Sequence, residues 1–163
     1  MNTKDRLNIF RDLLRKIQRL ERQLETLDEG LTLPNTTNPS AVSVQGGERP
    51  DHLPLKLYQI DTIRRELESL YVLREQEHDE LWKTVDLLTS VAEVSVLRSY
   101  YFSLQSREEV AQQLFEDEED FQQRRKYYLS RVSQIHSRAM RNIRKISSQK
   151  QSSATSSKLT QAI

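Results

Sequence analysis

The sequence of 163 residues predicts an all-α fold. Apolar residues repeat every three or four positions along most of the chain, which is the spacing of one face of an α-helix. Gly and Pro number only three and four, and all seven lie between residues 28 and 54, whereas an all-β fold needs such turn residues throughout. Since only 36% of the residues are hydrophobic and 30% are charged, helices that each bury one apolar stripe fit better than a large globular core.

Residues 1–88 predict a long antiparallel helical hairpin, coiled-coil-like, with a flexible loop over residues 28–54. Thr3 is the expected N-cap of the first helix, and the second helix is expected to begin near Pro54 or Leu55. Neither stripe is buried in its own helix, so the two stripes pack on each other or on a second subunit, and we expect a homodimer. The first stripe comprises Leu7, Phe10, Leu14, Ile17, Leu20, Leu24 and Leu27, and the second Leu57, Ile60, Ile63, Leu67, Leu70, Leu81, Val85 and Leu88.

Residues 89–146 predict shorter helices. Ser90 with Glu93, and Ser106 with Glu109, both match the capping-box pattern, in which the Ser and Glu side chains satisfy free backbone N–H groups. Five acidic residues from Glu116 to Asp120 then precede a basic helix, which we expect from about Phe121 to Ile146. Residues 147–163 are rich in Ser, Thr and Gln, and this composition predicts a disordered tail.

Charge is strongly segregated along the chain. The first 120 residues contain fifteen basic and twenty-four acidic residues, a net charge of −9. The last 43 residues contain ten Lys or Arg and no Asp or Glu. Such segregation indicates an anionic partner for the C-terminal part of the chain.

The basic helix has two faces. An inward apolar stripe is expected, made by Tyr128, Val132, Ile135, Ala139, Ile143 and Ile146. An Arg/Gln stripe lies on an outward face, and a helix of this kind suits the major groove of DNA, where Arg and Gln read base edges or bind phosphates. The predicted DNA-binding residues are Arg124, Arg125, Lys126, Arg131, Gln134, Arg138, Arg141, Arg144 and Lys145.

Three segments between residues 96 and 146 form a further pattern. They read Tyr100-Tyr101-Phe102, then Ser106-x-x-Glu109-Val110-Ala111-x-x-Leu114, then Val132-x-x-Ile135-His136-x-Arg138-Ala139-Met140-x-x-Ile143. The pattern resembles sigma-factor region 4, and more closely the phage-encoded transcription regulators of the ArpU and RinA type. This resemblance implies a helix-turn-helix over residues 89–146, behind an N-terminal helical arm.

The chain departs from that family between the two helices of the motif. The family usually joins them by a short turn containing Gly-Tyr-Ser, whereas seventeen residues separate Leu114 from Val132. Either the recognition helix is extended toward its N-terminus, or the turn is an excursion from the motif.

Other classes of function have little support in the sequence. Cysteine is absent, which excludes disulfides, thiolate metal sites and cysteine nucleophiles. His136 lies beside the inward stripe, where a packed or capping role is expected, and His52 and His78 lack Asp, Ser or His partners at ligand spacing. We therefore expect no metal, no cofactor and no enzymatic activity. No apolar run approaches the roughly 20 residues that span a bilayer, and the N-terminus does not resemble a signal peptide, so a cytoplasmic protein without membrane contact is expected.

Two functions are consistent with this sequence. The first is a transcription regulator of phage or mobile-element origin, which binds double-stranded DNA through its basic C-terminal helix and dimerises or touches RNA polymerase through the hairpin. The alternative is a helical adaptor or inhibitor that does not bind DNA and docks on RNA polymerase or another protein.

Overall fold

A computed structural model describes residues 2–32 and 53–160, which form helices and turns without any strand. The helices are α1 (Thr3–Thr32), α2 (Leu53–Val85), α3 (Val91–Leu97), α4 (Arg107–Phe115) and α5 (Arg125–Thr160). Helix α3 continues directly into a π-helical segment, Arg98–Phe102. The prediction of an all-α fold is confirmed, and every helix in this part of the chain is too short or too polar to cross a membrane.

The helix boundaries around the predicted loop differ from expectation. Helices α1 and α2 cover both margins of the 28–54 range, and residues 33–52 lie outside the described residues. Gly30 falls in the last turn of α1, and Pro54 falls in the first turn of α2, where the missing N–H has no intrahelical partner in any case. The cap of α1 is also shifted by one residue, because the carbonyl of Asn2 accepts from the N–H groups of Asp5 and Arg6 at 3.0 and 3.1 Å.

The C-terminal segment differs from the predicted disordered tail. Helix α5 begins at Arg125 and continues to Thr160, and residues 161–163 lie outside the described residues. The segment from residue 147 onward contains no Gly or Pro that would end a helix already nucleated by the packed part of α5. Its composition alone therefore did not decide its backbone conformation.

The chain divides into two compact units. The first contains residues 1–15 and 74–163, and the second contains residues 16–73. Two apolar clusters form the core of the first unit, and they confirm the inward stripe of α5. One cluster comprises Leu7, Phe10, Leu81, Val85, Leu88, Leu97, Tyr101, Ala139 and Ile143, and the other Val96, Val110, Ala111, Phe121, Tyr128, Val132 and Ile135.

The second unit has a smaller apolar core. Among the residues of this unit that the structure describes, Ile17, Ile60, Ile63 and Leu67 are buried. Between α1 and α2 of this unit, Lys16 Nζ lies 2.6 Å from Glu66 Oε1, and the Tyr71 hydroxyl donates to Glu21 at 2.8 Å. Leu57 was predicted to face inward but its side chain is 50% exposed, as are its neighbours at the start of α2.

Candidate nucleic-acid interface

One side of α5 carries a row of exposed polar side chains. They lie on one side of the helix because they follow each other at intervals of four and three residues, and the row is about 27 Å long at ~1.5 Å per residue. We call this row the outward face. Its members are Tyr127, Arg131, Gln134, Arg138, Arg141 and Lys145, all of them exposed.

All nine predicted DNA-binding residues are exposed, but they do not form one surface. Five of them belong to the outward face. Arg125 and Lys126 lie in the first turn of α5, and Arg124 immediately precedes it. Arg144 lies on the flank of the helix, where it lines a groove together with Arg141.

Arg138, one of the predicted DNA-binding residues, forms an ion pair within the protein although it is exposed. Its Nε donates to Glu93 Oε1 at 2.8 Å, and the Asn142 amide donates to the two Glu93 oxygens at 3.2 and 2.9 Å. The side chain of Glu93 is only 4% exposed, whereas that of Arg138 is 57% exposed. Because a buried carboxylate needs compensating donors, Arg138 is primarily the partner of Glu93.

This contact also explains why the first predicted capping box is wrong. Ser90 is the N-cap of α3 with an extended backbone, but its side chain makes no capping hydrogen bond. Glu93 points into the α3–α5 contact instead of returning to the Ser90 N–H. The second capping box is confirmed, since Ser106 Oγ accepts from the Glu109 N–H at 3.3 Å and Glu109 Oε2 accepts from the Ser106 N–H at 2.6 Å.

The insertion between α4 and α5 combines both predicted alternatives. Residues 116–124 form turns, and α5 begins seven residues before Val132, so an excursion precedes an extended helix. Asp120 links the turns to the first part of α5, because it accepts a hydrogen bond from the Tyr128 hydroxyl and another from Arg124 Nη1 at 2.9 Å. These two donors lower the pKa of Asp120, and the bond to Asp120 raises the pKa of Tyr128 to about 12.

The acidic insertion lies against the N-terminal end of the outward face. An open groove of about 760 Å³ is lined by Asp117, Glu118 and Glu119 on one side and by Tyr127 and Arg131 on the other. The guanidinium of Arg124 lies 4.5 Å from the Tyr127 ring centroid in the same region. Negative potential is therefore concentrated beside Arg131, and the C-terminal half of the outward face is the more attractive part for an anion.

His136 is a packed residue of the first unit. Its Nε2 lies 3.2 Å from the Tyr101 hydroxyl, and its ring stacks on Tyr101 with a centroid separation of 5.7 Å. Burial lowers the pKa of His136, and the positive charges of Arg107, Lys4 and Arg11 lower it further. Among the described residues, no group of three or more His, Asp or Glu side chains is arranged to hold a metal ion.

Three residues of this region were not predicted from the sequence to belong to the site. Tyr127 belongs to the outward face, and its spacing of four residues from Arg131 was a sufficient signal. Glu93 is identifiable only from its burial, because its sequence pattern is equally that of a cap. Lys4 lines the groove of Arg141 and Arg144, and no local pattern connects residues so far apart in the chain.

Comparisons with models of protein families, with curated proteins and with solved structures give no match to this chain. The resemblance to phage regulators accordingly stays a prediction from the sequence.

Proposed function

We propose that this protein binds double-stranded DNA through the outward face of α5 and acts as a transcription regulator of the phage type that its sequence resembles. The observation that carries the proposal is the exposed row Arg131, Gln134, Arg141 and Lys145 on a helix whose whole sequence lacks acidic residues. Arg and Lys bind phosphates, and Arg and Gln also match the edges of guanine and adenine in the major groove.

Binding is expected to be centred on the C-terminal half of this face. The acidic insertion opposes phosphates near Arg131, and Arg138 offers DNA only those donors that Glu93 does not use. Electrostatic attraction to the DNA backbone then supplies most of the affinity, so binding should weaken steeply as salt is added.

A salt series of binding isotherms on duplex DNA tests the proposal. The variant carries Arg131→Gln, Arg141→Gln and Lys145→Gln, which remove three exposed positive charges without touching the buried stripe. We expect weaker binding and a fall in the slope of log affinity against log salt by about 0.9 for each lost phosphate contact. A charge-matched control, Arg19→Gln with Arg22→Gln and Arg65→Gln, places the same loss on exposed positions of the second unit. Equal slopes for the two triple variants would contradict the proposal.

The adaptor function remains the second candidate, and one observation favours it. Leu55, Leu57 and Tyr58 are 57, 50 and 70% exposed within about one turn at the start of α2. Such an apolar patch can dock on a protein partner, including a second copy of this chain. No binding of duplex DNA at low salt by the wild-type protein would leave this candidate as the better one.

A further inference from the structure

A groove in the first unit gathers positive charge from two distant parts of the sequence. It has a volume of about 380 Å³ and is lined by Lys4 at the start of α1 and by Arg141 and Arg144 of α5. The remaining polar lining comes from Asn2, Ser137 and His136, and no acidic side chain among the described residues contributes to it. We call it the cationic groove.

The three cations of the groove are available to a ligand. None of them forms a salt bridge with any residue in the described ranges, whereas Arg6, two residues after Lys4 in α1, is paired with both Glu77 and Glu80. The backbone at the start of α1 is already engaged, since Asn2 accepts from the N–H groups of Asp5 and Arg6. Side chains and not the helix terminus therefore provide the charge of this groove.

The position of Lys4 beside α5 is fixed by neighbouring contacts. Thr3 Oγ1 lies 3.1 Å from Ser147 Oγ, and the paired Arg6 donates to Glu77 at 2.8 Å. Leu7 and Phe10, on the following turns, are 0 and 1% exposed in the same core as Ile143. Lys4 is thus held beside α5 although 136 residues separate it from Arg141.

We propose that the cationic groove binds a phosphate group, and that this phosphate belongs to the backbone of the duplex that lies on the outward face. Arg141 carries the argument, because it belongs to both the outward face and the groove. A duplex centred on the C-terminal half of α5, away from the acidic insertion, then places backbone phosphate beside Lys4 and Arg144. The inference rests on the proposed function and adds the first turn of α1 to the DNA-binding surface.

The test compares Lys4→Gln with wild type in duplex-binding isotherms over a range of salt concentrations. We expect weaker binding and a decrease of about 0.9 in the magnitude of the salt slope, which corresponds to one phosphate contact. Lys83→Gln is the matched control, since Lys83 is exposed in the same unit but does not line the groove. Arg144→Gln is the second variant of the groove and should reproduce the effect of Lys4→Gln. Circular dichroism verifies that each variant keeps its helices.

The outcomes separate this inference from the proposed function. If wild type binds duplex and Lys4→Gln binds it with the same affinity and slope, the groove is not part of the DNA surface and the inference is overturned alone. If wild type binds no duplex, the His136 ring signals are followed by NMR during titration with inorganic phosphate. Saturable shifts in wild type that Lys4→Gln abolishes would support a phosphate site for a small ligand and remove DNA as its source. Absence of such shifts would overturn the phosphate site as well.

Discussion

Glu93 is the residue on which the packing of α3 against α5 depends most clearly. A carboxylate on a side chain that is only 4% exposed is unfavourable unless donors replace its lost hydration. Arg138 supplies a charged donor and Asn142 supplies a neutral one, and both come from successive turns of α5. The three residues therefore fix the register of α5 on α3. The hydrogen bond to Glu93 also occupies the Nε donor of Arg138, which belongs to the outward face.

Replacing Arg138 tests this role. Arg138→Ala should lower the free energy of unfolding by about 1–2 kcal/mol, because Glu93 stays buried and loses its charged partner; the exposed side of Arg138 limits the effect by solvent screening. Arg141→Ala is the control, and it should change stability by less than about 0.5 kcal/mol because Arg141 has no such partner among the described residues. Urea unfolding followed by circular dichroism measures both, and equal effects would contradict the role given to Glu93.

Asp120 and Tyr128 form a second pair with a consequence for stability. The pKa of Asp120 is lowered below its ordinary 3.8, first by the hydrogen bond from Tyr128 and then by the one from Arg124. The contribution of Asp120 to the free energy of unfolding is present above pH 3.8. It is lost as the pH falls through the lower pKa that Asp120 has in the folded protein. The pKa of Tyr128 is raised from 10.0 to about 12 in the folded protein. Its contribution to the free energy of unfolding is therefore complete below pH 10.0 and is lost as the pH rises toward that raised pKa.

We therefore expect a pH-dependent cost for Tyr128→Phe. The loss of unfolding free energy relative to wild type should be greatest between pH 3.8 and 10.0 and should shrink beyond either limit. Urea unfolding at a series of pH values measures it. Tyr127→Phe is the control, because the Tyr127 hydroxyl has no carboxylate partner among the described residues, and it removes a tyrosine hydroxyl without breaking the pair. A Tyr128→Phe effect that is constant at both extremes would show that the pair does not control this titration.

At the scale of elements, two N-caps with the same sequence pattern behave differently. Ser106 and Glu109 close a capping box at the exposed start of α4, where no other residue in the described ranges bonds to either side chain. Ser90 and Glu93 do not, because the neighbouring α5 offers Glu93 two donors in a buried position. Local sequence therefore determines the cap only where tertiary packing leaves the glutamate in solvent.

This contrast predicts unequal costs for the same substitution. Ser106→Ala should destabilise the protein by about 1 kcal/mol, the usual value of a side-chain N-cap. Ser90→Ala removes no capping bond and should cost less than about 0.5 kcal/mol. Chemical unfolding of the two variants side by side provides the measurement. A larger loss for Ser90→Ala would mean that the cap of α3 forms in solution.

The insertion between α4 and α5 is the element that sets the electrostatics of the outward face. Its acids line one groove with Arg124 and Arg131, so they lie closer to these two cations than to the C-terminal half of α5. At a Debye length of about 8 Å in physiological salt, only nearby charges compete effectively with phosphates. The insertion is accordingly expected to weaken non-specific DNA binding at one end of the helix.

Neutralising the insertion should raise affinity for random-sequence duplex. The variant carries Asp117→Asn, Glu118→Gln and Glu119→Gln and retains Asp120, which holds Tyr128 and Arg124. We expect a several-fold increase in affinity at physiological salt, measured by fluorescence anisotropy. The control triple Glu25→Gln, Glu68→Gln and Glu75→Gln changes the net charge equally on α1 and α2. If both triples raise affinity to the same extent, the effect comes from net charge and not from the position of the insertion.

For the whole molecule, periodicity predicted the helices and the buried face of α5 because both depend on local spacing. Three features depended on tertiary contacts and were not predictable in this way. The role of Glu93 follows from its burial, and that of Lys4 from its position beside Arg141. The role of Arg138 follows from its contact with Glu93. The C-terminal segment shows a fourth limit, since a composition typical of disorder continues as helix when a packed helix precedes it.

Charge and exposed apolar surface are also distributed unequally between the two units. The candidate DNA surface lies in the first unit, together with both larger apolar clusters. The described part of the second unit, residues 16–32 and 53–73, buries four hydrophobic residues and leaves Leu55, Leu57 and Tyr58 at least half exposed. Because a helix pair with so little buried surface gains stability from a partner, we infer that the second unit carries the contact of a homodimer.

Sedimentation velocity at micromolar concentration should accordingly detect a dimer of the wild-type protein. Leu55→Gln with Leu57→Gln should raise the dissociation constant at least about tenfold, since in a two-fold symmetric interface each lost apolar contact counts twice. Ile9→Gln with Val91→Gln is the control, because these side chains are 56 and 81% exposed in the first unit and lie outside the expected interface. A monomeric wild type at high concentration would exclude the dimer. A dimer weakened equally by the control pair would place its interface on the first unit instead.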